Sequence, residues 1–175
     1  GSTLWNINSE NEMIQDSIFR RGQNALLHIR SSESPNNIVT NLEDRLPFDN
    51  QKQHSLHGYI KTENAKNVSI EARLSLGRTG ESLITVSIGD SVSGSLNWKK
   101  YWNDIPYTEE AEFFDIRSNS DIPDSGLAYS WFDDVGFIEW DTLKLITEYP
   151  ISINYPNDYD YIQFYHDQEQ TDYFG

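Results

Sequence analysis

Residues 125–140 read Ser125-Gly-Leu-Ala-Tyr-Ser-Trp-Phe-Asp-Asp-Val-Gly-Phe-Ile-Glu-Trp140. The run is apolar and aromatic, and two adjacent carboxylates, Asp133 and Asp134, stand in its middle. Residues of this kind favour a pleated, half-buried strand. A buried strand does not normally carry two charges side by side, because an ionised carboxylate is costly to bury without a partner. Something must therefore hold the pair, or a sheet edge must expose it. Strict alternation puts Trp131, Asp133, Val135 and Phe137 on one face, and Phe132, Asp134, Gly136 and Ile138 on the other. A bulge would shift this phase.

Working outward, the chain repeats one pattern. Short alternating runs are separated by Gly, Pro, Asn and Asp, and helical spacing is scarce. Candidate strands are Ala25–Arg30, Ile38–Leu42, His54–Thr62, Val68–Leu76, Leu83–Ile88, Asn97–Asn103, Glu112–Arg117 and Ala128–Trp140. Gly77-Arg-Thr-Gly80 reads as a hairpin loop, and Ile122-Pro-Asp-Ser-Gly126 as a turn. Many short strands with regular turn signals predict an all-β sandwich. The tail after residue 145 is longer than such a sandwich needs. In Tyr159–Tyr165, Ile162 and Phe164 share one face, and Tyr159, Tyr161 and Tyr165 share the other. We therefore divide the chain into a sandwich module, residues 1–145, and a strand-rich extension, residues 146–175. The extension is expected to pack on the sandwich or on a following domain.

Composition narrows the function. The chain has 175 residues, no cysteine and a net charge of −15. That length fits one domain. Disulfides and thiol chemistry are excluded. No apolar run approaches the roughly 20 residues a spanning helix needs, so no membrane insertion is expected. Gly1-Ser2 looks like a cloning scar, which predicts a piece of a longer chain. Residues 1–100 hold eleven acidic and eleven basic side chains, whereas residues 101–175 hold seventeen acidic and only two basic, Arg117 and Lys144. This field disfavours nucleic acid, anionic lipid and sulfated or uronic polymers as partners.

Catalytic patterns are weak. Ile88-Gly-Asp-Ser-Val92 resembles the Gly-Asp-Ser block of GDSL-type esterases, with Ser91 as nucleophile. That chemistry needs a helix after the serine and a downstream Asp-x-x-His. The only later histidine is His166, with Gln163 three residues before it. His28, His54, His57 and His166 form no set with zinc-ligand spacing. Nothing positions a pair of carboxylates for glycoside hydrolysis. The chain is read as not an enzyme.

The order of several segments carries a family resemblance. Arg21-Gly-Gln-Asn-Ala-Leu-Leu-His-Ile29, Leu56-His-Gly-Tyr-Ile-Lys-Thr62, Trp98 followed by Ile105-Pro106, and the Phe132-Asp-Asp-Val135 strand appear in sequence. Together, over residues 20–141, they resemble jelly-roll modules with the galactose-binding-domain-like fold, which include bacterial carbohydrate-binding modules. The resemblance implies a jelly-roll β-sandwich of two antiparallel sheets. It also implies a non-catalytic accessory module of a secreted or cell-surface protein, with a neutral glycan as partner. The alternative is a structural or adhesive spacer without sugar affinity that contacts a neighbouring domain. In the family, an Asp of the last strand helps to bind a structural Ca²⁺, which assigns Asp133 and Asp134 as metal candidates. The Phe-Glu pair that completes that site near the N-terminus does not occur; Glu10 and Glu12 lie nearby without matching it. Otherwise one Asp caps a loop or pairs with Arg21 or Arg73, and the other is solvated.

Flat aromatic rings match the C–H face of a pyranose, so Trp and Tyr are the candidate ligand platform. Trp98 sits where the family packs a core Trp. Trp98 and Trp102 share a strand face, with Tyr101 opposite. Trp102, Tyr101, Tyr107 and Tyr129 are the ligand-binding candidates.

Overall fold

The computed structural model describes residues 5–7, 10–34, 38–42 and 44–140. The expected extension, with its tyrosine row, lies outside the described residues. Nine strands follow in order: β1 (Trp5–Asn6), β2 (Glu12–Gln15), β3 (Ala25–Ser31), β4 (Ile38–Leu42), β5 (Leu46–Pro47), β6 (Gln53–Ser75), β7 (Ile84–Ile105), β8 (Phe113–Ser120) and β9 (Leu127–Trp140). Every pairing is antiparallel. Among the described residues there is no helix, and so none long and apolar enough to cross a membrane.

Two strands organise the whole. β6 and β7 are each more than twenty residues long and pair along nearly their full length, from His54↔Ile105 to Leu74↔Ile84. Their register shifts repeatedly between Ile60 and Ile70. Asn64, Asn67 and Ser91 take positive φ there, as do Gly89 and Gly94. Such bulges bend a strand and increase its twist. Both strands therefore turn the same corner together. The sequence reading of His54–Thr62 and Val68–Leu76 as separate strands is corrected: they are the two arms of β6. Leu83–Ile88 and Asn97–Asn103 are likewise the two arms of β7. The Asn- and Gly-rich stretches between them are bulges rather than chain reversals.

The corner makes the jelly roll. The first arm of β6, residues 53–63, pairs with β9 on one side and with residues 99–105 of β7 on the other. β9 continues to β3, and β3 to β2. The second arm, residues 69–75, pairs with β8 and with residues 84–88 of β7; β8 continues to β4, and β4 to β1. One continuous sheet thus folds over on itself into two layers, a jelly-roll β-sandwich.

Between the layers lie Leu26, Leu56, Ile60 and Phe132 from the first layer and Ile70, Ala72, Leu74 and Ile116 from the second. Gly58 lets the layers meet, since a Cβ there would fall 2.5 Å from Ile70 Cδ1. One end of this core is polar. His28 on β3 is fully buried. Its Nδ1 lies 2.6 Å from Ser120 Oγ, and its Nε2 lies 2.9 Å from Thr40 Oγ1 and 3.2 Å from Ser118 Oγ. A single imidazole therefore bridges the two layers. Burial, reinforced by nearby Arg30, pushes its pKa down to about 3.

The acidic pair of β9 sits at a bulge. Tyr59 pairs with Asp133 but His57 pairs with Gly136, so β9 gains one residue, and Asp134 takes φ +48. The simple alternation is corrected here: Val135 and Phe137 pack against the core, while Asp133 faces outward beside Tyr59. Asp133 Oδ2 accepts from the backbone N–H of Arg20 (2.6 Å) and Arg21 (3.1 Å), and its Oδ1 accepts from the N–H of Asp134. Asp134 Oδ2 is 2.7 Å from Arg20 Nη1. The Arg20 guanidinium also lies 3.4 Å over the Tyr59 ring. The pair thus clamps the loop before β3 onto the sheet. Calcium needs six to eight oxygen atoms. Here the carboxylates meet N–H donors and a guanidinium, a set that does not fit the ion as arranged.

Two predictions follow from this packing. Replacing Asp133 by Ala removes the acceptor of three backbone donors, the N–H groups of Arg20, Arg21 and Asp134, so unfolding free energy in urea should fall by about 2 kcal/mol, and melts in millimolar Ca²⁺ and in EDTA should coincide for the parent protein. A calcium-dependent melt would show that the clamp rearranges around a metal. For His28, the unfolded chain takes up a proton near pH 6.5, whereas the folded chain does so only near pH 3. Its contribution is therefore intact above pH 6.5 and declines as pH falls towards 3, by at most about 1.4 kcal/mol per unit. Denaturation between pH 7.5 and 4.5 should show a shallower slope for His28→Gln than for the parent.

Candidate functional site

The outward face of the second layer is polar. Along β6, Ser69, Glu71 and Arg73 alternate with the core residues Val68, Ile70, Ala72 and Leu74. Their cross-strand partners on β8 are Asn119, Arg117 and Asp115. Val39 and Asn41 of β4 extend the same face. Over it lies a groove of 520 Å³ lined by Val39, Asn67, Ser69, Glu71, Asp90, Ser91, Asn119 and Asp121.

Local structure explains the shape. The corner of β6 and β7 raises Asn67, Asp90 and Ser91 above the sheet surface as one wall. Asp121, just after β8, stands next to it, and Asn67 Nδ2 donates to its Oδ2 (2.9 Å). The floor is held by paired groups. Asn119 Nδ2 donates to Ser69 Oγ (3.3 Å), and Arg117 Nε donates to Glu71 Oε2. Beyond the groove, Arg73 makes a two-point contact with Asp115, at 2.7 Å through both Nε and Nη2, and Arg45 reaches the same carboxylate at 3.2 Å. Such paired groups are fixed before any ligand arrives. The lining carries three carboxylates, two amides and two hydroxyls. That array suits vicinal hydroxyl groups, which donate and accept at once, and it repels anions. Among the described residues no three His, Cys, Asp or Glu side chains converge to hold a metal ion.

The four aromatic candidates are placed elsewhere. Trp102 and Tyr129 share the outward face of the first layer, opposite His57 and Glu63 of β6 respectively. Six residues of strand, about 20 Å, separate them. Tyr129 stacks on Trp131 at 5.8 Å. Tyr101 points the other way and packs against the core, and Tyr107 is 71% exposed beyond the end of β7. The four do not form one platform. Sequence reasoning missed the groove, because its lining comes from four strands and two bends. One signal was present: Ser69, Glu71 and Arg73 interleave with an unbroken apolar row.

No protein-family model and no curated protein matches the sequence. Solved structures do match the fold. A family 61 carbohydrate-binding module (TmCBM61), solved with β-1,4-galactotriose, aligns with a TM-score of 0.52 at 14% identity, over 78% of this chain and 88% of that one. The CBM22-1 xylan-binding domain of Paenibacillus barcinonensis Xyn10C aligns with a TM-score of 0.53 at 14% identity, over 79% and 86%. The family 16 carbohydrate-binding module-2 aligns with a TM-score of 0.53 at 8% identity, over 77% and 90%. At such identities the likeness is one of architecture: this chain has the jelly-roll fold of carbohydrate-binding modules.

Proposed function

We propose that this chain is a non-catalytic module that binds a neutral glycan in the groove of its second layer, as an accessory part of a larger secreted or cell-surface protein. The observation that carries this reading is the 520 Å³ groove with its lining of amides, hydroxyls and carboxylates. Its size lies within the range of small-ligand sites, about 300–1,000 Å³. The rigid sheet beneath it limits the entropy lost on binding. β-1,4-Galactotriose and xylan, named for the structural neighbours, belong to the class of partner we assign. The net charge of −15 argues in the same direction, against sulfated or uronic polymers. The non-catalytic reading rests on the likeness of the fold to carbohydrate-binding modules.

Titration calorimetry against neutral oligosaccharides tests the proposal. Asn67→Ala combined with Asn119→Ala removes two amides and leaves the Glu71–Arg117 pair in place. At about 1 kcal/mol per lost hydrogen bond, affinity should drop tenfold or more, and the melt should fall modestly, because Ala suits the positive φ at position 67 less well than Asn does. Heparin, alginate and DNA should give no measurable binding at physiological salt. A neutral-glycan array with no hit at all would leave the groove reading without support and favour a spacer that contacts neighbouring domains.

A further inference from the structure

One guanidinium inside the sandwich turns its binding edge to no protein acceptor. Arg30 on β3 is only 3% exposed. Its Nε and Nη2 are buried and meet no hydrogen-bond partner among the described residues. These two atoms form one edge of the planar group, the same edge that Arg73 presents to Asp115. Ser130 Oγ is buried as well and likewise meets none. Ser130 pairs with His28 across β3 and β9, so Arg30 is its diagonal neighbour on the inner face, about 7–8 Å away. Two ties fix what lies over Arg30. Two residues before it, His28 Nδ1 lies 2.6 Å from Ser120 Oγ. Two residues after it, the Ser32 N–H donates to Gly126 O (2.9 Å). Residues 121–125 therefore span the position of Arg30. They are also tied to the corner of β6: the Asp121 N–H donates to Lys66 O (3.0 Å), and Asn64 Nδ2 donates to Ser125 O (2.9 Å). Asp121 opens this segment and lines the groove. Burial lowers the Arg30 pKa, while Asp121 and Glu12 draw it back up.

We propose that Arg30 is a positioning residue for the groove: water buried beneath residues 121–125 joins its Nε–Nη2 edge to Asp121 and so holds that carboxylate in the groove wall. This rests on the groove being the glycan site. A guanidinium stays charged, and its fork is costly to bury without acceptors. Asp121 and Glu12 act on that charge without touching the fork. Water accepts from the fork and donates to a carboxylate at once. An anion would satisfy the fork too, but the same two carboxylates repel it. Ser130 Oγ adds a third contact, which gives the water the polar partners, about two to four, that buried water requires. On the groove side, Asn67 Nδ2 donates to Asp121 Oδ2 (2.9 Å). Asp121 is thus held by an amide in the groove and by a charge in the interior, and its remaining lone pairs accept from ligand hydroxyl groups. Arg30 touches no ligand; its effect on affinity passes through one carboxylate.

The test compares Arg30→Met, which keeps an unbranched chain and loses the charge, with Arg30→Lys, which keeps the charge and loses the fork. In the ¹⁵N-labelled parent, the Arg30 Nε–H is expected to show a cross-peak to long-lived water. In Arg30→Met the side-chain amide of Asn67, which reports its bond to Asp121, should shift and exchange faster with solvent; Arg30→Lys should fall between. Calorimetry with β-1,4-galactotriose, xylohexaose and cellohexaose then reads the groove. For any of these that the parent binds, Arg30→Met should weaken binding about tenfold. In an Asp121→Asn background it should cost nothing further. A merely structural Arg30 would cost the same in both backgrounds, and that result overturns the proposal. An Asn67 amide unchanged in both Arg30 variants overturns it too, as does an Arg30 Nε–H without water contact. The Nε–H measurement needs only the parent, and Arg30→Lys keeps the comparison if Arg30→Met does not fold. If no probe binds the parent, the groove reading is what fails, and the Asn67 amide still decides whether Arg30 holds Asp121.

Discussion

Everything in this molecule depends on β6 and β7 bending together. An isolated bend in one strand would tear its ladder, because unpaired backbone groups are costly to bury. Here the two strands bend as a pair, and their hydrogen bonds resume on either side of the corner. Asparagine, serine and glycine supply the positive φ values the corner requires. Side chains help to close it: Ser95 Oγ accepts from the N–H of Asn64, and Ser93 Oγ from that of Asn67. The two layers, the core between them and the wall of the groove are consequences of that shared turn.

The layers are chemically unlike on their outer surfaces, and the sequence explains why. In the second layer the outward positions of β6 and β8 alternate acid, base and amide, and they pair across the strands as Glu71–Arg117 and Arg73–Asp115. In the first layer the outward positions of β6, β7 and β9 are largely aromatic: His57, Tyr59, Trp102, Tyr129 and Trp131. Arg20 covers Tyr59 at the centre of that face, which leaves Trp102 the most accessible of these rings that also has an ordered aromatic neighbour. The acidic pair of β9 serves this cover. It stops being a puzzle once Asp133 is seen to receive two backbone donors from the loop it clamps.

Much of the fold was legible in the sequence. Ile38–Leu42 is a strand with the expected bounds, and the last strand is one residue longer than read. Two features misled. Asn64 and Asn67 on β6, and Gly89 and Gly94 on β7, carry the composition of a turn, but a bulge uses the same residues for the same conformational reason. Continuity of a strand through such residues depends on its partner, which local sequence does not contain. The groove was hidden for a related reason. Val39, Glu71, Asp90 and Asn119 are far apart in the chain, and each alone reads as an ordinary strand-surface or turn residue. Trp102 stands in the sequence as a ring beside polar neighbours; Trp140 and Ser55, which approach it, are joined to it only by the fold.

The β6–β7 pair also has a kinetic meaning. It is one hairpin, closed by the short segment between Ser75 and Ile84, and it contributes a strand to each layer. Most sandwiches must bring distant segments together before either sheet is stable, and loop closure makes that slow. Here a single local closure can zip outward from the Leu74–Ile84 end, round the corner, and lay down a template for both layers. β8 and β9 then add to opposite arms of an existing strand. A structure assembled on one shared spine has no half with its own complete sheet, so the two layers are expected to melt as one cooperative unit.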